Sequence, residues 1–318
     1  MKRRIWSLVI SLTLILSGCA QVKGQWYLTH ESYQEGIRAI AKLHQQNPDD
    51  PVANYYMGRY YLALEQPEQA LPYLEKAAKL KPNKADYHFW LGVAYWAVRD
   101  FEKERQSYWR ALAANANHMP TRLYLGNNFL DNGQWKQALN QYDKVLTKDP
   151  YNPEALYNRG LALENLKRTN EEIRAWKLYL KYYPEGKWAL RAVDHLNTHG
   201  DFSYRNYTIG YRRVPLESIT FTPGSTKLLL EGNFSLEVVG SILSINKNIE
   251  MKIVVYRKGN RSLAAERAEA VKQFLLKHYP AVRPSRITTK AVGKAEKIVS
   301  EQRLYFMDDS ISFMTVKK

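Results

Sequence analysis

The sequence predicts a multidomain chain, an all-α superhelical solenoid of helix pairs followed by an α+β sandwich domain. Three observations carry that reading. Gly58, Gly92, Gly126 and Gly160 recur at an interval of 34 residues. Pro48, Pro82, Pro150 and Pro184 keep the same interval, with Ala116 in the one missing place. After Gly200 the helical periodicity stops, and short apolar runs alternate with two amphipathic stretches.

The first element is residues 1–18. Lys2, Arg3 and Arg4 precede an apolar run from Ile5 to Leu16. The run is too short for a comfortable span and is charged on one side only, which is the pattern of a secretory signal. It ends in Leu16-Ser17-Gly18-Cys19, which resembles the bacterial lipobox. The resemblance implies cleavage before Cys19 and lipidation of its thiol, so that the chain is anchored rather than membrane-spanning, each buried methylene contributing ~0.8 kcal/mol. Ala20 rather than Asp follows the cysteine, which in that class implies the periplasmic face of the outer membrane. Cys19 is the only cysteine among 318 residues, so intramolecular disulfides and zinc sites built on several cysteines are excluded.

Residues 19–200 hold the repeat. Twelve residues after each glycine stand Ala70, Glu104, Ala138 and Glu172, and four further on stand Leu74, Tyr108, Tyr142 and Trp176. A small residue on the first helix lets the second approach, a large one fills the space, and proline closes the pair. This is similar to the tetratricopeptide (TPR) pattern of helix–turn–helix units. A partial first repeat, Glu31 to Asn47, precedes full repeats starting near Pro51, Ala85, Met119 and Pro153. Gly186 to Asn197 reads as a capping helix. Such arrays present a groove lined by first-helix positions. Here these are Tyr55, Arg59, Leu62, Phe89, Val93, Trp96, Leu123, Asn127, Leu130, Tyr157, Leu161 and Glu164. The set is mainly apolar and aromatic and lacks the several cations that would clamp a C-terminal carboxylate. It is expected either to take a helix or extended apolar segment of a protein partner, or to pack internally.

Residues 201–318 form the last segment. Asp201–Leu216 is aromatic and β-like, and Ser218–Thr222 and Met251–Tyr256 read as strands. Thr226–Ile245 and Ser262–His278 read as helices, and Arg286–Gly293 and Leu304–Val316 as further strands. The second helix carries Ala264, Ala268, Val271 and Leu275 on one stripe. The opening Ile219–Leu228 with Glu231, and the spaced set Asn260, Leu263, Arg267, Ala268 and Val271, resemble the OmpA-like, peptidoglycan-associated domain, as does Arg286-Ile287-Thr288 followed by Gly293. The resemblance implies contact with diaminopimelate of the wall peptide, whose ammonium and carboxylate pair with a loop aspartate and a helix arginine. Arg267 takes the arginine position and Asn260 opens the same helix. The loop Tyr256–Asn260 is shorter than the family's, no aspartate lies between Ile253 and Glu266, and Met307-Asp308-Asp309 stands near where the family keeps a basic closing motif.

Lys and Arg exceed Asp and Glu by 47 to 31, and residues 201–318 hold 20 basic against 11 acidic residues. Export argues against nucleic acid as the partner of this charge; anionic lipid, glycan or an acidic protein remain. There is no GxSxG, HExxH or phosphate-binding loop. His88 and His195 read as lacking a ligand at metal spacing, and Glu171-Glu172 and Asp308-Asp309 as exposed charge. The chain is thus expected to be a non-enzymatic, outer-membrane-anchored periplasmic adaptor without cofactor or metal, linking a pilus, secretion or motility machine to the cell wall. A general tether between outer membrane and peptidoglycan, or a recruiter of a wall enzyme, is the alternative.

Overall fold

The computed structural model describes residues 20–229 and 233–317. Cys19 and Glu231 lie outside the described residues. The chain forms two compact units, one ending at Pro150 and the other covering Tyr151–Lys318.

The first unit is built of antiparallel helix pairs. Residues 20–29 form α1, followed by α2 (Tyr33–Gln46), α3 (Pro51–Ala63), α4 (Pro67–Leu80), α5 (Ala85–Ala97), α6 (Phe101–Ala114), α7 (Met119–Asp131) and α8 (Trp135–Lys148). The 34-residue period states why these pairs form. A Cβ on Gly92 would lie 2.3 Å from the Tyr108 ring, so only glycine lets α5 meet α6. Gly58 and Gly126 stand in the same relation to Leu74 and Tyr142. Asp50 caps α3 by accepting from the Val52 amide at 2.8 Å. The proline missing after α6 is replaced by a local turn, in which Asn115 Oδ1 accepts from the Asn117 amide at 2.9 Å and stops the helix.

Among the described residues, the expected partial first repeat is preceded by a further helix. That helix is α1, with Ala20 fully buried, Gln21 Nε2 donating to Tyr56 Oη at 2.9 Å and Tyr60 Oη donating to the Gly24 carbonyl at 2.9 Å. The 34-residue ruler misses it because Gly24 falls at the right interval before Gly58 but lies close behind the apolar leader and has no proline upstream.

The second unit opens with α9 (Pro153–Asn165), α10 (Thr169–Tyr182) and the capping helix α11 (Gly186–Thr198). The β1 (Tyr204–Ile209) and β2 (Arg212–Glu217) hairpin follows. Then come α12 (Asn233–Ile245), β3 (Ile249–Arg257), α13 (Arg261–His278), β4 (Ile287–Val292), β5 (Glu296–Ser300), β6 (Arg303–Met307) and β7 (Asp309–Lys317). A three-stranded sheet runs β4-β3-β7, with β3 parallel to β4 and antiparallel to β7. The core packs α12 and α13 on that sheet through Leu236, Val239, Leu243, Ala264, Ala268, Val271 and Leu275 against Met251, Ile253 and Val255. Buried Arg286 donates to the Leu243, Asn246 and Ile249 carbonyls at 2.6–3.0 Å. That places a cation on the last turn of α12, where the helix dipole favours one.

Three expected elements differ. Ser218–Thr222 is not a strand but one side of a single bridge, Phe221 to Leu228, because Pro223-Gly224 turns the chain at once, Gly224 taking φ +68°. Helix α12 begins at Asn233, not Thr226. The run Leu304–Val316 divides into β6 and β7, and β6 pairs with β5 in a hairpin that the alternation of apolar residues did not reveal.

Candidate functional site

On the first unit, the first-helix face is a row of rings that largely occupy one another. Tyr55 is buried and stacks on Tyr87 with centroids 4.7 Å apart. Arg59 lies 3.5 Å over the Trp90 ring and donates to Tyr55 Oη at 2.6 Å, so this cation serves the repeat stack. Burial raises the Tyr55 phenol, against the pull of Arg59. Phe89 is buried among Tyr108, Tyr124 and His118. Asn127 Oδ1 accepts from Tyr142 Oη at 2.9 Å. Val93 and Leu123 are half-buried, and Trp96, seven residues beyond Phe89 on the same helix face, is 53% exposed. In the second unit Tyr157 is buried and stacks on Trp188 at 5.0 Å. Of the groove positions read from the sequence, Trp96 is therefore the large apolar side chain that meets solvent.

In the strand-containing domain, Asn260 is the N-cap of α13, its Oδ1 accepting from the Leu263 amide at 2.9 Å. Arg267 is almost wholly buried, 2% exposed. Its Nε donates to the Ser225 carbonyl at 2.9 Å, its Nη1 to Asp309 Oδ2 at 2.7 Å, and its guanidinium lies 4.5 Å from the Phe221 centroid. Arg257 also reaches Asp309 Oδ2, at 3.4 Å, and Lys258 reaches Asp308 at the same distance. Asp309 was expected to be plain exposed charge. It is instead the carboxylate that holds the helix arginine, delivered by β7 from 42 residues along the chain. The sequence signal was the pairing of two departures, an aspartate missing from the loop and two aspartates present where basic residues were expected.

Beneath this site a second acid is decisive. Glu296 is buried and accepts from Arg205 Nη1 and Nη2 at 2.8 and 3.0 Å, from Ser310 Oγ at 2.7 Å and from Ser312 Oγ at 2.5 Å. Burial would raise this carboxyl, but Arg205 and the two hydroxyls outweigh it and hold it below the usual range. Arg205 stands on β1, so the pair ties the hairpin that follows the repeats to the domain core. The same hairpin is fixed to α11, with Asn206 Nδ2 donating to the Leu190 carbonyl and Asp194, and Arg213 pairing with Asp194 at 3.0 Å.

Two carboxylates in the repeats are buried, and Glu172 among them corrects an expectation. Glu104 and Glu172 occupy the place that Ala70 and Ala138 fill, and both are 2% exposed. Glu104 accepts from Asn128 Nδ2 at 2.8 Å, and burial pushes its carboxyl up to about 7. Glu172 accepts from Trp176 Nε1 at 3.2 Å and His199 Nε2 at 2.9 Å, and is not exposed charge. No described helix is long and apolar enough to cross a membrane.

Comparison with known proteins agrees with this architecture. Tetratricopeptide repeat models match residues 55–119, 126–167 and 154–186, and the OmpA family model matches 220–304. Among solved structures, one titled as a functional characterisation of Pseudomonas aeruginosa PilF is 14% identical, with TM-score 0.54 over 60% of this chain and 87% of that one. PilW, titled a widely conserved type IV pilus biogenesis factor, is 15% identical, with TM-score 0.51 over 58% of this chain and 89% of that one. Over 170 residues the chain is 30% identical to the BBSome complex member BBS4 of Bos taurus. That match takes in 53% of this chain, which spans about 33% of that relative's length. The chain is thus a tetratricopeptide solenoid followed by a C-terminal domain of the OmpA family.

Proposed function

We propose that this protein is a non-enzymatic adaptor of a bacterial envelope. Lipid on Cys19 holds it to the periplasmic face of the outer membrane. The repeats recruit a protein partner at the face that presents Val93 and Trp96, and the OmpA-family domain meets the cell wall. The observation that carries this reading is the joint inside the second unit. The last repeat, the capping helix and the OmpA-family core share one compact body, fastened by Arg205–Glu296 and by the Asp194 contacts. An adaptor needs its wall domain fastened to its repeats, and this joint fastens the OmpA-family core to the last repeat and the capping helix. Aromatic side chains with an apolar body and an exposed edge dominate protein interfaces, which favours Trp96 as the anchor.

For the wall, Asp309 is the exposed member of its pair, 41% by side chain, and Arg267 the buried one. The carboxylate is then what the ammonium of diaminopimelate would meet, with Arg267 as the residue that positions it. The setting we favour is a pilus or secretion assembly. A general tether, or recruitment of a wall enzyme, is the second reading.

The test uses soluble 20–318 and purified sacculi. Co-sedimentation that Asp309→Asn weakens is expected, and failure to sediment overturns the wall contact. A photo-crosslinker at Trp96 in cells is expected to capture a component of the assembly, and capture of a murein synthase instead would favour the second reading. Cys19→Ser is expected to release the protein from membranes.

A further inference from the structure

We propose that Glu164, Glu172 and His195 form a binding site for a divalent transition-metal ion of the zinc class. The three residues come from α9, α10 and α11, and their ligand atoms all lie within 4.8 Å of one another. Tetrahedral zinc, with bonds of about 2.0–2.2 Å, holds its ligand atoms roughly 3.3–3.6 Å apart. Closure by about 1 Å at the ends of side chains therefore suffices.

Four observations separate this cluster from a chance group of surface charges. Glu172 is 2% exposed at a repeat position that is alanine in two of the other repeats, so packing does not call for it. A buried carboxylate is costly unless something positive or hydrogen-bonding faces it. Its Oε1 is fixed by Trp176 Nε1 at 3.2 Å and His199 Nε2 at 2.9 Å, the kind of outer contact that orients a ligating carboxylate. The His195 ring lies flat on Trp176, centroids 4.8 Å apart and planes at 8°, with Nδ1 3.1 Å from Glu164 Oε1. Finally, these residues line a cavity of about 460 Å³, large enough for an ion and its water.

The donor set names the ion. Two carboxylates and one imidazole suit zinc, cobalt, nickel or copper, whereas magnesium and calcium prefer oxygen alone. The three ligand atoms come from separate helices and converge in a small volume, which is what a single divalent cation requires. His199, the C-cap of α11 four residues after His195, holds Glu172 through Nε2. Such an ion would clamp the last repeat to the capping helix that carries the Asp194 contacts to β1 and β2.

The test is a titration of soluble, tag-free, chelator-treated 20–318. Zinc followed by calorimetry and cobalt followed by visible absorption are expected to saturate at one equivalent, with cobalt giving the intense bands of a four- or five-coordinate site. His195→Ala and Glu172→Gln are expected to weaken binding tenfold or more, and His199→Ala by about tenfold. His278→Ala, on α13, is expected to change nothing. Zinc is expected to raise the melting temperature of the wild-type second unit but not of His195→Ala. The proposal is overturned by absence of saturable binding to the wild-type chain, or by binding that His195→Ala leaves unchanged. Because His195 is a quarter exposed, its alanine variant keeps the test open even where Glu172→Gln fails to fold.

Discussion

Replacing Glu296 by alanine should uncouple the repeat-side hairpin from the OmpA-family core. Its side chain is 8% exposed and that of Arg205 is 16% exposed. The change removes two bonds to Arg205 and two from the serine hydroxyls, and leaves a guanidinium buried without its anion. Removing one partner of a buried pair costs about 3–5 kcal/mol. For a body the size of the second unit, ~1 kcal/mol corresponds to about 2–4 °C, so the melting temperature should fall by roughly 6–20 °C. The assay is differential scanning calorimetry of soluble 20–318, following the transition of the second unit. The pH dependence has a fixed sign. The folded carboxyl is held below its unfolded value, so its contribution is present above the unfolded pKa and is lost as pH falls through the folded one. Glu296→Ala should flatten that acid limb. Replacing both partners, Arg205→Met with Glu296→Leu, should cost clearly less than the single change, because no charge is left stranded. A melting temperature for Glu296→Ala within about 2 °C of wild type, or a double variant as unstable as the two single changes added together, would refute the reasoning.

Other outcomes follow from the same geometry. Gly92→Ala drives a methyl into the Tyr108 ring at 2.3 Å and should destabilise the first unit by about 1–3 kcal/mol, read from its calorimetric transition. Glu104, raised to about 7 in the fold, costs stability increasingly as pH rises from its unfolded pKa to about 7 and fully above that, so Glu104→Gln should stabilise the first unit at pH 8 by on the order of 1–2 kcal/mol and leave it nearly unchanged at pH 4. Urea denaturation at the two pH values checks this. Arg267→Ala should destabilise the second unit by about 2–5 kcal/mol, since it empties a buried site while Asp309 stays exposed and keeps Arg257. Asp309→Asn removes the anion of a buried guanidinium, so it should weaken sacculus binding and also lower the stability of the second unit.

Much of this molecule is legible along the chain. Helices α3, α5, α7 and α9 start at Pro51, Ala85, Met119 and Pro153, as the period of 34 requires. The stripe Ala264, Ala268, Val271 and Leu275 is buried as its spacing implies. These features are local, because a helix pair is fixed by side chains 16 residues apart that must fit one another. Where the structure departs from the local pattern, the cause is long-range. Asp309 cannot be matched to Arg267 from spacing, since β7 returns beside β3 only once the sheet has formed. Position 172 reads as half of an acidic dipeptide, yet the helix phase turns Glu171 outward and Glu172 inward. His195 and His199 do lie four apart in the sequence, and that interval was the available clue; the two glutamates that complete the group come from separate helices.

The sequence by itself determined the class and order of two parts: a 34-residue helical repeat, then an OmpA-type helix and strand pattern. Repetition and amphipathic spacing are one-dimensional, so they survive in the text of the chain. Only the tertiary structure decided which charges meet. It set Asp309 against Arg267 of α13, locked Glu296 to Arg205 and gathered Glu164, Glu172 and His195, because a charge pair depends on separation in space, which chain distance does not encode.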